Sequence, residues 1–159
     1  MKKIFAFSGI FLLIDQATKF IIINIIEHGG EVEIIPSFFS LAYVRNYGAA
    51  FSILQNNLLF LISASVVALV VIIFMFIKDA PLKKYDIFVY AMLIGGIVGN
   101  LVDRVFRGYV VDFLSFDIFG YHFPVFNLAD TFIVCSIAYI LIFGDWSEKN
   151  ENKSWWTRK

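Results

Sequence analysis

Few residues in this sequence can do acid–base chemistry, and nearly all of them are set in apolar runs. Asp15 and Lys19 stand four apart inside the stretch Ile4–Ile26, so on a helix they share a face and can pair. Asn100, Asp103 and Arg104 fall on one helical stripe. Asp112 lies between Val110-Val111 and Phe113, and Asp130 follows Asn127-Leu128-Ala129 at the start of the last apolar stretch. A charge at membrane depth costs about 2.5–3.5 kcal/mol on insertion scales, so each of these groups needs a reason to be there. Two carboxyls that meet in an apolar cleft cannot both ionise easily; one pKa rises and the pair holds one proton. Such a pair can take a proton from water as general base and give one to a leaving amine as general acid. Asp15, Asp103, Asp112 and Asp130 allow six pairings, and spacing alone does not choose among them.

Structural roles compete at each position. Asp15–Lys19 can be an ion pair that orients its helix. Gly95 and Gly99, four apart, permit close helix approach, with Asp103 and Arg104 as a snorkelling pair at the end of the motif. Asn127 is placed to cap a helix, and Asp130 to complement that helix's dipole from its first turn.

The elements that must position these residues are membrane helices. Of the 159 residues, 60% are hydrophobic and only 16% charged, with mean hydropathy +0.79, against about 25% charged in a soluble domain. A helix needs about 20 apolar residues to cross the hydrocarbon core, and four segments qualify: 4–26, 58–77, 85–106 and 127–143. One domain is expected over 1–159. The opening Met-Lys-Lys and apolar run resemble a secretory signal peptide. The run resumes after Lys19 and no small-x-small cleavage site follows, so it reads as a retained first helix.

Lys2, Lys3, Lys78, Lys83, Lys84, Lys149, Lys153, Arg158 and Lys159 share one side of an even-numbered bundle, which predicts cytoplasmic termini. Segments 27–57 and 107–126 then face outward. The first carries β-branched and aromatic runs between Gly29-Gly30 and Pro36 and predicts a small surface sheet. The second reads as an amphipathic, aromatic loop or helix at the headgroups. The tail 147–159 is polar. The predicted fold class is an all-α membrane protein of four transmembrane helices with a small extracytoplasmic sheet.

Other function classes find little support. The net charge is zero, which leaves no basic footprint for nucleic acid. A lone cysteine, Cys135, excludes a disulfide framework, and with His28 and His122 in outward loops no metal site is expected. No phosphate-binding glycine loop or nucleophile-elbow serine is present, and no cofactor is expected. A proton-coupled carrier would also keep intramembrane charges, but carriers usually show internal repeats and none is visible here. An assembly subunit, with its charges facing a partner helix, is the third class.

Five blocks occur in order: Asp15-Gln16-Ala17-Thr18-Lys19, Arg45-Asn46-Tyr47-Gly48-Ala49-Ala50-Phe51, Gly95-Gly96 through Gly99-Asn100-Leu101-Val102-Asp103-Arg104, Val110-Val111-Asp112-Phe113, and Phe126-Asn127-Leu128-Ala129-Asp130. In these the chain resembles the lipoprotein signal peptidases (signal peptidase II), bacterial intramembrane aspartyl peptidases, over its whole length. The resemblance implies a catalytic dyad of Asp112 and Asp130, with Asp103 the runner-up for the first position. It implies that Asn46, Asn100, Arg104 and Asn127 line the site, that Gly96 and Ala129 leave room for a substrate chain, and that Asp15 and Lys19 brace it. It also implies an outer cover over the cleft, built from the sheet carrying Asn46 and from loop 113–123. The implied substrates are prolipoproteins, cut just before a cysteine that carries a thioether-linked diacylglyceryl group, taken from among the membrane lipids by a monomer in the bacterial inner membrane.

Overall fold

The computed structural model of the protein describes residues 1–48, 57–77 and 83–143. Its elements are α1 (Lys2–Ile25), β1 (Glu31–Ile35), β2 (Phe39–Asn46), α2 (Leu58–Val71, running on as π-helical turns over Ile72–Ile77), α3 (Lys84–Arg107), β3 (Val110–Ile118), β4 (Tyr121–Phe126) and α4 (Leu128–Phe143). Within Lys78–Leu82 and the tail, Lys78, Lys149, Lys153, Arg158 and Lys159 lie outside the described residues, as do Ala49, Ala50 and Phe51.

Helix α3 is the middle of the bundle, and glycines set how near its neighbours come. A Cβ on Gly95 would stand 2.6 Å from Phe11 Cβ and 2.9 Å from the Ser8 carbonyl of α1. One on Gly96 would meet the Ala129 carbonyl of α4 at 2.6 Å, and one on Gly99 would meet the Asp15 carboxylate at 2.5 Å. The expected small-residue helix contact is therefore present on two faces of α3. Gly108 closes the helix: its φ of 78° is left-handed, and its N–H bonds back to the Arg104 carbonyl.

The strands form one antiparallel sheet in the order β1-β2-β3-β4. The predicted small sheet exists, but it is larger than expected because 107–126 supplies two of its strands. The loop-or-helix reading of that segment is thus corrected, and so is the label all-α: the fold is helices plus a four-stranded sheet. The physical reason lies in the residues. Val110, Val111, Phe113 and Phe116 favour a pleated surface, and strand β2 needs a partner for its second edge. Phe116 packs its ring against Phe39 and Phe126 from the neighbouring strands and against Phe38 from the β1–β2 turn. The β3–β4 turn places Phe119 and Gly120 at φ 53° and 82°, the positive values that a tight hairpin requires.

Polarity is inverted relative to a water-soluble fold. Leu13 on α1 is 70% exposed and Leu141 on α4 is 66% exposed, whereas Asp15 and Lys19 are fully buried. Lipid is the solvent that such a surface fits. Helices Lys2–Ile25 and Lys84–Arg107 are long and apolar enough to cross a membrane; Leu58–Phe74 and Leu128–Phe143 are apolar but shorter.

The packing at Gly95 predicts that Gly95→Ala lowers stability by about 1–3 kcal/mol, the usual overpacking range. Gly9→Ala is the control, since nothing lies within 4 Å of its added Cβ. Thermal unfolding of both variants in detergent checks this: the first midpoint should drop and the second should stay.

Candidate active site

Two polar layers lie one above the other in the bundle. The first is ionic. Lys19 Nζ is 2.9 Å from Asp15 Oδ2 and 3.0 Å from Asp103 Oδ2, with every side chain at 0% exposure. Its third donor goes to Asn100 Oδ1 at 3.0 Å, so all three ammonium hydrogens are used. Asp103 also takes an ion pair from Arg107, the Gln16 side-chain amide at 3.2 Å and the Val111 backbone N–H at 3.1 Å. Asp15 Oδ1 accepts the Ala129 backbone N–H at 3.0 Å. The layer holds two carboxylates against two cations, so it closes neutral.

The second layer is built on asparagines. Asn127 donates from Nδ2 to Asp112 Oδ1 at 2.6 Å and to Asn100 Oδ1 at 3.2 Å. It also caps α4: its Oδ1 accepts the Asp130 N–H at 3.0 Å, and its own N–H donates to Asp130 Oδ2 at 3.2 Å. Asn127 therefore bridges Asp112 and Asp130. Asn100 Nδ2 donates to the other Asp130 oxygen at 2.7 Å, and Asn46 Nδ2 donates to Asp112 Oδ2 at 2.9 Å. Strand register puts Asn46 there: Val44 opposes Asp112 and Asn46 opposes Val110, so Asn46 and Asp112 are diagonal neighbours on one face.

Asp112 is 2% exposed. Burial, reinforced by the nearby negative charge of Asp130, pushes its carboxyl up from an ordinary 3.8 to about 7, although Asn46, Asn127 and Lys19 favour the charged form. Asp112 therefore has the makings of a carboxyl that keeps its proton near neutral pH.

The residues singled out in the sequence meet here, with three refinements. Asp103 is held by Lys19 and Arg107, not by adjacent Arg104, because neighbouring residues on a helix point about 100° apart while i and i+4 share a face. Arg104 instead donates to the Gly48 carbonyl at 3.1 Å, on the side where Asp112 and Asp130 lie. Gly96 and Ala129 meet one another at the α3–α4 contact, and the space beside Gly96 is filled by α4. Gln16 and Arg107 were not anticipated. The spacing Asp103 to Arg107 was a readable signal; nothing local marks Gln16 except its place beside Asp15.

A family model described as signal peptidase (SPase) II matches residues 7–144. The chain belongs to the signal peptidase II family. It is 37% identical over 144 residues to a lipoprotein signal peptidase of Staphylococcus aureus (strain MRSA252), covering 89% of this chain and 88% of the relative. It is equally identical to one from Francisella tularensis subsp. novicida (strain U112), with 87% and 89% covered. Two solved structures described as bacterial membrane enzymes superpose closely. One has TM-score 0.82 at 32% identity, covering 100% of this chain and 94% of that one; the other has 0.79 at 34%, covering 89% and 92%.

Two predictions follow for this signal peptidase II member. Lys19→Met strands two buried carboxylates and should cost about 3–5 kcal/mol, whereas Arg107→Gln, at a side chain 26% exposed, should cost less. Unfolding midpoints and membrane yield measure both. For Asp112, the folded chain keeps a proton that the unfolded chain releases between 3.8 and about 7. Its contribution to stability is full below that window and is lost as pH rises through it. Melting temperature should fall with pH across this range, and less steeply in Asp112→Asn; parallel curves for the two proteins would refute the assignment.

Proposed function

We propose that this chain is an aspartic-type intramembrane endopeptidase that removes signal peptides from diacylglyceryl-modified prolipoproteins, cutting just before the lipidated cysteine. The observation that carries this reading is the bridging of buried Asp112 and Asp130 by Asn127, in a chain of the signal peptidase II family. One carboxylate of the dyad takes a proton from water, whose oxygen attacks the scissile carbonyl carbon. The protonated partner hydrogen-bonds the carbonyl oxygen as it gains charge. As the C–N bond breaks, a proton passes from the dyad to the leaving cysteine nitrogen, and the signal peptide leaves as a carboxylic acid. The chemistry needs no cofactor. Asn46, Asn100 and Asn127 hold the dyad, and Arg104 balances its charge. Gly96 and Ala129 keep the α4 start close against α3, while Asp15, Lys19 and Asp103 brace the site from below.

The same reading takes 1–159 as one membrane-embedded domain with four spanning helices, working as a monomer in the bacterial inner membrane. Supporting this, α1 and α3 run parallel: Gly95 meets Ser8, and further along both helices Asp103 meets Lys19. Lys2, Lys3, Lys83 and Lys84 thereby stand at one end of the bundle, the cytoplasmic end by the positive-inside rule. The dyad and the sheet then lie toward the outer leaflet, where the lipidated cysteine of a substrate would arrive sideways from the bilayer.

Asp112→Asn and Asp130→Asn, each purified into lipid nanodiscs, should lose about 10²–10⁴-fold in turnover of a diacylglyceryl-modified prolipoprotein, with melting temperatures near that of the parent. Normal turnover in either variant would remove the dyad. A folded but inactive Asp103→Asn beside an active Asp112→Asn would move the pair to Asp103 and Asp130.

A further inference from the structure

The dyad rests on side-chain amides, and an amide has a direction. One end only accepts hydrogen bonds and the other only donates. An ammonium only donates, so the Asn100 oxygen must face Lys19 Nζ, 3.0 Å away. The N–H₂ end of Asn100 is thereby turned to Asp130 Oδ1 at 2.7 Å. The second lone pair of the same oxygen takes one Nδ2 hydrogen of Asn127 at 3.2 Å, and the other Nδ2 hydrogen goes to Asp112 at 2.6 Å. Asn127 has a second constraint, because its oxygen accepts the Asp130 backbone N–H. Asn100 has none outside Lys19 and Asn127. Asn127 is thus turned by the start of α4, whereas the shorter of the two bonds that turn the Asn100 oxygen comes from the ammonium.

We infer that Lys19 is a positioning residue for the proposed dyad: by holding the Asn100 oxygen it keeps the donor end of Asn100 turned toward Asp130. Lys19 acts through Asn100, and its own three donors end on Asp15, Asp103 and Asn100. This deepens the peptidase reading and rests on it. Without the ammonium, Asn100 can turn its oxygen to Asp130, where only a protonated carboxyl can meet it. The singly protonated dyad would then form at higher pH.

The charged groups facing these residues must be kept constant in any test. Lys19 faces Asp15 on its own helix and Asp103 on α3, with Arg107 beyond Asp103. The dyad faces Arg104 from α3 and lies within the field of Lys19, with the neutral amides of Asn46, Asn100 and Asn127 against its oxygens. Asp15→Asn combined with Lys19→Met removes one charge of each sign. It leaves the Asp103–Arg107 pair intact and keeps an oxygen for the Ala129 N–H.

The experiment measures kcat and KM against pH for the full chain in nanodiscs with a diacylglyceryl-modified prolipoprotein. In the Asp15→Asn/Lys19→Met variant the acidic limb of the kcat profile should move up by about one pH unit, with KM little changed. Asp15→Asn/Lys19→Gln, which returns an uncharged donor to Asn100, should bring the limb back toward the parent. A uniform loss of kcat at every pH, with the limb in place, would mean that Lys19 only supports the fold and would overturn the inference. If the methionine variant does not accumulate, Asn100→Ala carries the test with the ionic layer intact: an upward shift is expected, and an unmoved limb overturns the inference. Failure here is distinct from failure of the peptidase reading, which would show as turnover surviving in Asp112→Asn or Asp130→Asn.

Discussion

The structure depends on an ammonium buried among apolar helices. Lys19 has no water to turn to, so two carboxylates and an amide must come to it from fixed directions. That demand sets the register of α1 against α3. It also reaches further, because each carboxylate has a second task. Asp15 takes the backbone N–H of Ala129 and so fixes where α4 begins. Asp103 takes the backbone N–H of Val111 and so fixes where β3 begins. Buried ion pairs contribute little net stability, since desolvation offsets their attraction. What this one supplies is a single alignment of four elements, and even Gly99 follows from it, because any side chain there would strike Asp15.

Charge arithmetic separates the two polar layers. The ionic layer is neutral by itself, with Asp15 and Asp103 set against Lys19 and Arg107. The layer above holds Asp112 and Asp130 with one nearby cation, Arg104. Fully ionised it would carry excess negative charge in surroundings that solvate charge poorly; with one shared proton it is neutral as well. Burial of Asp112 and its proximity to Asp130 favour a proton on Asp112. Asparagines are suited to the boundary because they transmit hydrogen bonds between layers without adding charge.

Much of this was readable in the sequence, and the parts that were not share a cause. The i, i+4 pairing of Asp15 with Lys19 follows from helix geometry and is found in the structure. The glycine spacing at Gly95 and Gly99 announced close helix contact. Asn127 as a cap with Asp130 three residues on was also legible. The choice among four aspartates was not, since it depends on which of them the fold satisfies elsewhere. Asp103 has its acceptors filled by Lys19, Arg107, Gln16 and Val111, all of which lie on other elements or a turn away. Segment 107–126 was misread for a related reason: its amphipathic look is compatible with a headgroup helix, and only the free edge of β2, far off in sequence, makes it a strand.

The turn at Gly108 converts the helix alignment into the placement of Asp112. Its left-handed φ of 78° ends α3 and sends the chain back as β3, so that Val111 arrives with its N–H on Asp103. Along a strand, side chains alternate between faces. Val111 and Phe113 therefore pack toward Ile22, Ile26 and Tyr43, while Asp112 between them must turn the other way, to Asn46 and Asn127. A slip of one residue would put Asp112 into the apolar cluster and a valine or phenylalanine opposite Asp130. Two independent locks oppose that slip: the hydrogen bond from Val111 to Asp103, and the burial of Val111 and Phe113. The Asp112 carboxyl is thus placed through its neighbours, whose contacts lie on the opposite face of the strand, and its own oxygens are bonded by asparagine amides.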